Sequence, residues 1–142
     1  MRVELNPKVD ETEQALLSAL LSGDDSILAG LRQQLAVAVP VKRELSGVGV
    51  FLTFSLPSDV QLVEPPNLTI DDVVFDLRDR EHGGGAILFV RDGRLNMLEA
   101  YLDAEEWPET AQLTGIRYDT GDQRNLAILG KVWREPRSKI AP

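Results

Sequence analysis

Residues 83 to 108 give the clearest structural signal in the chain, and they read GGGAILFVRDGRLNMLEAYLDAEEWP. Two runs rich in β-branched, aromatic and large aliphatic residues, 86–90 and 95–102, flank the short polar segment 91–94. The Asp-Gly pair inside that segment is typical of a hairpin turn, because glycine adopts a positive φ without steric cost. The stretch therefore predicts a β-hairpin.

The predicted hairpin strands are apolar on both faces, with Ile87 and Phe89 on one face and Leu88 and Val90 on the other. Strands that are covered on both faces lie in the middle of a sheet, so we expect this hairpin to be central. The glycines at 83–85 permit a tight turn and the close approach of another backbone. A phosphate-binding loop would instead carry Lys-Ser/Thr and open a helix.

Four further segments are predicted to be strands. They are 41–45, 48–56, 73–77 and 112–118, of which the second and third alternate between apolar and polar residues. The segment 57–67 contains three prolines and is expected to be a loop or an edge crossing. Residues 126–133 are apolar enough for a final strand or a short helix, and their periodicity does not choose between the two.

Two helices are predicted ahead of these strands, at about 10–22 and 25–39. Asp10 stands three residues before Glu13, which is the spacing of a capping box, and Asp25 belongs to a second N-cap segment. Leucines at helical spacing give the first helix an apolar stripe, and Gly23 is suited to its end. Pro40 is expected to end the second helix.

These elements predict an α+β architecture in which an N-terminal helical hairpin packs on one face of a mainly antiparallel sheet of five to six strands. The short connections favour antiparallel pairing, because a parallel link needs a crossover of about a dozen residues. A chain of 142 residues fits one domain. We expect a single domain over 1–142, with the sheet at about 41–133 and a basic tail at 134–142.

Composition narrows the classes of function. The chain has no cysteine, which excludes disulfides and thiolate chemistry, and no apolar run approaches the ~18 residues of a membrane span. The net charge of -8 argues against nucleic acid as a partner. Residues 124–142 nevertheless carry five basic groups and one acidic group, which we interpret as a solvated tail that pairs loosely with an acidic body. We expect a cytoplasmic protein without membrane contact.

Glu99 is the most informative charged residue, because it lies inside the apolar run 95–102 of a strand predicted to be central. Its carboxylate must reach water or be paired, since burying it alone costs several kcal/mol. Alternation places Met97 and Tyr101 on the same face. Three arginines are candidates for a structural ion pair with Glu99: Arg43, Arg91 and Arg94. A role in a binding concavity is the alternative.

His82 and Trp107 are the other residues with a possible function. His82 stands beside acids and could ligate a metal or act as a general base, but a metal site needs three or four convergent ligands. The sequence has no second histidine, so we predict an exposed loop residue and no metal site. Trp107 is expected to be a lid on the core, with partner recognition as the alternative.

Three segments of the chain resemble small uncharacterised bacterial proteins. The segments are RELSGVGVFLTF at 43–54, GGAILFVRDG at 84–93 and LEAYL at 98–102, followed by Trp107-Pro108. In those proteins a Thr-Gly-Val-Gly-Phe-Phe-Thr-like strand precedes a Leu-Glu-Gly-Tyr hairpin and a Trp-Pro pair, and some look like immunity proteins of toxin systems. The resemblance spans about 43–108 and departs at two positions, where Ser46 and Ala100 replace the usual threonine and glycine. It carries no assigned activity.

The sequence therefore predicts a non-enzymatic, acidic module that binds another protein, one with a basic surface, in the manner of an immunity protein or regulator. No serine-nucleophile motif is present, and we expect no catalytic residue and no cofactor. The alternative is a small-molecule-binding domain or a hydrolase that uses the sheet face around Glu99. The predicted binding residues are Glu99, Tyr101, Trp107 and His82. The sequence makes no prediction of oligomeric state.

Overall fold

A computed structural model describes residues 2–127, 129 and 133 of the chain. The helices are α1 (Glu11–Leu20) and α2 (Ser26–Val37). The strands are β1 (Arg2–Leu5), β2 (Val39–Leu45), β3 (Gly49–Ser55), β4 (Leu68–Leu77), β5 (Gly84–Arg91), β6 (Arg94–Leu102) and β7 (Leu113–Tyr118). Neighbouring strands are antiparallel and follow the order β1-β2-β3-β6-β5-β4-β7. The predicted α+β class and antiparallel sheet are confirmed.

The sheet has seven strands, so the prediction of five to six was wrong. The strand that the sequence did not reveal is β1, a four-residue edge strand paired with β2. Its two apolar residues, Val3 and Leu5, are 51% and 73% exposed. Because β1 is short and buries little, its sequence lacks the apolar alternation by which the longer strands were recognised.

Both helices begin at the predicted capping residues. The Asp10 carboxylate accepts a hydrogen bond from the Glu13 backbone N–H at 2.8 Å, and the Glu13 carboxylate accepts one from the Asp10 N–H at 2.9 Å. This capping box satisfies two N–H groups at the start of α1. The Asp25 carboxylate accepts a hydrogen bond from the Ile27 N–H at 2.8 Å in the same way. Local capping chemistry therefore sets where each helix starts.

The second helix ends earlier than predicted. It ends at Val37, and Pro40 belongs to β2, where it stands opposite Phe54 of β3. β1 pairs with β2 only from Lys42 to Leu45, so no described strand lies beside β2 at Pro40 on that side. A proline is tolerated there, since its missing N–H removes no hydrogen bond from the ladder.

The helices cover one face of the sheet, which we call the inner face. α1 contacts β4 and β5, while α2 contacts β6. Leu52, Leu98 and Leu88 stand opposite one another across β3, β6 and β5, and each is fully buried. Complete burial of one such side chain contributes roughly 2 kcal/mol. The leucine stripe predicted for the first helix completes this core: Leu16, Leu17, Leu20 and Leu21.

The predicted hairpin is formed by β5 and β6, and it occupies the middle of the sheet, as expected. Its turn consists of Asp92 and Gly93, with φ angles of 55° and 75°. Positive φ at both turn positions defines a type I′ turn, whose twist matches that of the flanking strands. The turn residues that led to the prediction therefore adopt the conformation for which they are suited.

A buried glutamine anchors this hairpin to the helical layer. Gln34 of α2 is 1% exposed, and its amide nitrogen donates to the carbonyls of Gln61 and Gly93, both at 2.9 Å. Its amide oxygen accepts a hydrogen bond from the Leu95 N–H at 2.7 Å. One side chain thus satisfies three backbone groups around the turn, which fixes the hairpin against α2.

The glycines at the start of β5 allow backbones to approach closely, as predicted. A Cβ placed on Gly84 would lie 1.8 Å from the carbonyl oxygen of Tyr101 on β6. A Cβ on Gly83 would lie 2.6 Å from the carbonyl oxygen of Phe75 on β4. Both distances are too short for any side chain, so glycine is required at these positions.

The described residues after β7 are helical. Leu126, Ala127, Leu129 and Trp133 adopt helical conformation, so they follow the helical alternative for 126–133 and lie outside the sheet, which the sequence had extended to residue 133. Trp133 is buried, and its indole N–H donates to the Thr69 carbonyl at 3.0 Å. The predicted basic tail at 134–142 lies outside the described residues.

Candidate functional site

The outer face of the sheet is turned away from the two helices. At its centre, side chains from β3, β5 and β6 alternate with inner-face residues and remain partly exposed. We call these six residues the outer patch: Phe51, Ile87, Phe89, Met97, Glu99 and Tyr101. Neither described helix packs over them, because both contact the inner face. Contiguous exposed apolar surface is a feature of interaction sites, so the outer patch is the candidate site.

Strand register places Glu99 at the centre of the outer patch. Its direct neighbours across the ladder are Phe51 on β3 and Ile87 on β5. Met97 and Tyr101 lie two residues before and after it on the same face of β6. One carboxylate is therefore surrounded by four partly exposed apolar or aromatic side chains.

The ion pair predicted for Glu99 is absent from the described part of the chain, so that prediction was wrong for Arg43. Arg43 lies on the inner face, where its Nη2 contacts the Glu13 carboxylate at 2.6 Å and its Nη1 contacts Glu4 at 2.7 Å. The neighbour of Arg43 on β3 is Leu52, an inner-face residue. Because side chains alternate between the two faces along a strand, the Arg43 side chain points toward the helices and away from Glu99.

The two hairpin arginines are also engaged elsewhere. The Arg91 guanidinium lies 5.1 Å from the centre of the Phe89 ring and donates to the Val90 carbonyl at 3.0 Å. Arg94 donates to the Ser58 carbonyl at 3.2 Å. Glu99 itself makes no hydrogen bond or ion pair with any residue from 2 to 127. Partial burial alone accordingly raises the pKa of Glu99 above its ordinary value.

The pKa of Tyr101 reflects the negative charges that lie near it. Its pKa is raised by burial first, and then by the nearby carboxylates of Asp103, Glu99 and Asp71. Burial also raises the pKa of Asp71, with further contributions from neighbouring Asp72 and Asp119. The carboxylates of Asp103, Glu99 and Asp71 therefore make the part of the outer patch around Tyr101 electronegative.

Two cations on the same face are already paired. Lys42 contacts Glu44 at 3.0 Å, and Arg117 contacts Asp76 at 2.8 Å. Both pairs flank the outer patch, one on β2 and the other between β4 and β7. Because these cations are held by other carboxylates, they leave Glu99 unneutralised.

The Tyr101 ring is held in place by a glycine on the adjacent strand. Gly85 of β5 stands directly opposite Tyr101, and a Cβ added to Gly85 would lie 2.6 Å from the Tyr101 hydroxyl oxygen. The ring therefore lies over the glycine and covers its backbone, an arrangement known to support glycine in sheets.

His82 lies in the loop between β4 and β5, and it is exposed. Its backbone N–H donates to the Glu105 carboxylate at 2.7 Å, and this hydrogen bond lowers the pKa of Glu105. The Asp103 N–H donates to the Gly83 carbonyl at 3.2 Å, which further joins the two loops. The contacts of His82 are thus those of a loop residue tied to the segment after β6.

Trp107 lies on the other side of the sheet. Its ring packs edge-on against the inner-face residue Phe75, with centroids 6.1 Å apart, and its backbone N–H donates to the Gly47 carbonyl at 2.6 Å. It is partly buried against the core. Of the four predicted binding residues, the structure brings Glu99 and Tyr101 together and places His82 and Trp107 apart from them.

The well-formed cavities are lined by residues outside the outer patch. One of about 760 Å³ lies between the helices and includes Leu17, Leu35 and Phe54. Another, of about 340 Å³, is lined by Trp107 and Glu13 among others. Among the described residues, no group of three or more His, Asp or Glu side chains is arranged to hold a metal ion. No helix in the described ranges is long and apolar enough to cross a membrane.

No protein-family model, curated protein or solved structure matches the chain.

Sequence reasoning did not identify Phe51, Ile87 and Phe89 as neighbours of Glu99. Alternation along 48–56 puts Phe51 on the same side of its strand as Thr53 and Ser55, and a phenylalanine there indicates that this face is not simply polar. Ile87 and Phe89 were assigned to one face of the hairpin, but only the register shows that this face is also that of Glu99.

Proposed function

We propose that this chain is a non-enzymatic protein-binding module, of the immunity or regulator type, that binds its partner through the outer patch. The main support for the proposal is Glu99, a partly desolvated carboxylate that has no ion-pair partner among residues 2–127 and is surrounded by partly exposed apolar side chains. Such a group is unfavourable in the free protein and becomes favourable when a partner supplies the missing contact.

The composition of the outer patch supports a protein partner. Aromatic residues and methionine are enriched in the cores of protein interfaces, and the patch contains Phe51, Phe89, Met97 and Tyr101. Rigid β-strands position these side chains, so little conformational entropy is lost on binding. Exposed Val3 and Leu5 lie on the same face, beyond the Lys42–Glu44 pair, and extend the apolar surface toward the edge of the sheet.

A small-molecule or hydrolytic function has less support. Small-molecule sites are concave and bury most of the ligand surface. The cavities described above are lined by other residues, and neither Glu99, Tyr101 nor His82 contributes to them. A sheet surface without a cavity at the outer patch suits a macromolecular partner better than a small ligand.

The net charge of -8 adds a kinetic argument for the proposal. An acidic protein attracts a basic partner over a distance and raises the association rate, and this attraction weakens with salt. We include a cytoplasmic location in the proposal.

A comparative capture experiment tests the proposed function. The wild type is immobilised beside an Ile87→Thr/Phe89→Thr variant, in which the β-branched threonines preserve strand propensity and remove apolar surface. Ile116→Thr serves as the control, because Ile116 is 42% exposed on β7 and lies outside the outer patch. Extract from the cells that produce the chain is applied at low and high salt, and retained proteins are quantified by mass spectrometry.

We expect one or a few proteins to be retained by the wild type and the control, and to fall at least about tenfold with the double variant, as loss of interface anchors predicts. Thermal unfolding of all three proteins would check that each is folded. Equal retention of every protein by the wild type and the double variant would contradict the proposed function.

A further inference from the structure

An arginine that is bound inside this protein indicates what kind of cation could bind Glu99. Arg124 binds the Asp72 carboxylate through two hydrogen bonds, Nε to Oδ2 at 2.8 Å and Nη2 to Oδ1 at 2.7 Å. Its guanidinium carbon also lies 4.7 Å from the centre of the Tyr118 ring. A carboxylate and a tyrosine face together hold one arginine, and the pair is largely buried.

The outer patch contains two of these three components. The Glu99 carboxylate and the Tyr101 ring lie on the same face of β6, and Phe51 supplies a second aromatic ring directly opposite Glu99. No arginine among residues 2–127 occupies the third place. Arg91 lies on the same face of β5 as Ile87, the neighbour of Glu99, but its guanidinium stacks on Phe89 near the turn of the hairpin.

We infer that the partner contributes an arginine side chain, whose guanidinium binds Glu99 and stacks on the rings beside it. The inference rests on the proposed function and names the central contact of the same surface. The arginine would neutralise the carboxylate, while its aliphatic stem would lie along Ile87 and Met97. Both the charged and the apolar parts of the patch are then matched by one side chain.

The chemistry favours arginine over lysine. A guanidinium is planar, binds a carboxylate through two parallel hydrogen bonds and stacks on aromatic rings, and it is less strongly hydrated than an ammonium group. Lysine forms a single point contact and keeps more of its hydration. The surrounding carboxylates of Asp71 and Asp103 favour either cation, so the rings and the geometry of Glu99 provide the discrimination.

The side-chain contact can be tested with a small probe. Methionine is present only at positions 1 and 97, so selective ¹³C-methyl labelling gives two signals, one of which reports the outer patch. The full-length protein is titrated separately with Nα-acetyl-arginine methylamide, with the corresponding lysine derivative and with the uncharged citrulline derivative. Glu99→Gln is measured in parallel with Glu109→Gln, which removes an exposed carboxylate outside the patch.

We expect the arginine derivative to shift the Met97 signal saturably and at least about threefold more tightly than the lysine derivative, in line with bidentate binding and stacking. The citrulline derivative should leave the signal unchanged. Glu99→Gln should abolish the effect, and Glu109→Gln should retain it. Absence of a saturable shift, equal affinity for all derivatives, or an unchanged response in Glu99→Gln would overturn the inference.

The same data separate this inference from the proposed function. If the arginine derivative fails but the Ile87→Thr/Phe89→Thr variant still loses the captured protein, then the outer patch binds a partner without an arginine at Glu99. If capture is also unaffected, both conclusions fail. A Met97 shift that depends on protein concentration without any probe would assign the contact to a second copy of the chain, and would overturn the inference of a different partner.

Discussion

Glu99 on β6 stands directly opposite Phe51 on β3, and no described cation lies within hydrogen-bond reach of its carboxylate. The opposing ring reduces the access of water to the carboxylate without offering a hydrogen bond. A partly buried carboxylate without a cation destabilises the folded protein, so its presence is explained only if it contributes to another property, such as binding. This relationship distinguishes the outer patch from an ordinary solvated sheet face.

Removing this charge should stabilise the free protein. Because burial raises the pKa of Glu99 above its ordinary 4.5, folding disfavours the ionised form at every pH above the folded pKa, and the penalty vanishes below the unfolded value. Glu99→Gln should therefore raise Tm at pH 7.5, by on the order of 1 °C given the solvent access of the group. The difference should disappear as the pH falls below about 4.

Scanning calorimetry of Glu99→Gln and Glu109→Gln between pH 3.5 and 8 would measure this effect. The control should follow the wild type throughout. A lower Tm for Glu99→Gln at pH 7.5 would indicate that the carboxylate is paired after all.

The hairpin should depend on the Gln34 side chain. Gln34→Ala leaves the Leu95 N–H without its partner in a buried site, while the Gly93 carbonyl keeps the Val63 N–H at 3.0 Å, so we expect a loss of about 1 to 3 kcal/mol in the free energy of unfolding. Gln33→Ala is the matched control, because Gln33 is the exposed neighbour on the same helix. Urea denaturation provides the comparison, and equal stability of the two variants would refute the anchoring role.

The buried ion pair of Arg43 should be necessary for the fold. Arg43→Ala leaves Glu13, which is 2% exposed, without its cation, and an uncompensated buried charge costs about 3 to 5 kcal/mol. Arg2→Ala should change stability by less than about 0.5 kcal/mol, because the Arg2 side chain is 65% exposed. Guanidinium denaturation of both variants would measure the loss in the free energy of unfolding. We expect a much larger loss for the buried Arg43 than for the exposed Arg2, and equal losses would contradict this prediction.

Two adjacent glycines should respond differently to alanine. At Gly84 the added Cβ meets the Tyr101 carbonyl oxygen of a paired strand, so Gly84→Ala should lose about 2 kcal/mol or more. At Gly85 it meets the end of the Tyr101 side chain, which can rotate away, so Gly85→Ala should lose less than about 1 kcal/mol.

Urea denaturation and near-ultraviolet circular dichroism would distinguish the two glycine variants. The dichroism should show a displaced tyrosine in Gly85→Ala. Equal losses of stability in both variants would indicate that the Tyr101 ring is as rigid as the backbone.

The sequence predicts the elements of this fold well wherever the signal is local. The Asp92-Gly93 turn and the caps at Asp10 and Asp25 depend on neighbouring residues, and each forms as predicted. β1 was missed because its stability comes from pairing with β2 rather than from its own four residues. A short exposed edge strand has too little apolar pattern to be recognised.

The candidate site was predicted only in part, because its geometry depends on register. Alternation along one strand correctly places Glu99 and Tyr101 on one face. Whether Arg43 shares that face depends on how β2, β3 and β6 align, and a shift of one residue would reverse the answer. Trp107 packs against the core as expected of a lid, but no local pattern identifies Phe75 as the ring that it contacts.

The most direct test of the central claim is the ¹³C-methyl spectrum of Met97 in the presence of the purified protein that comparative capture identifies. We expect the Met97 signal to shift or broaden when the partner is added, and the Ile87→Thr/Phe89→Thr variant to require at least about tenfold more partner for the same change. A Met97 signal that stays unchanged while the complex forms would contradict the assignment of the outer patch as the binding surface.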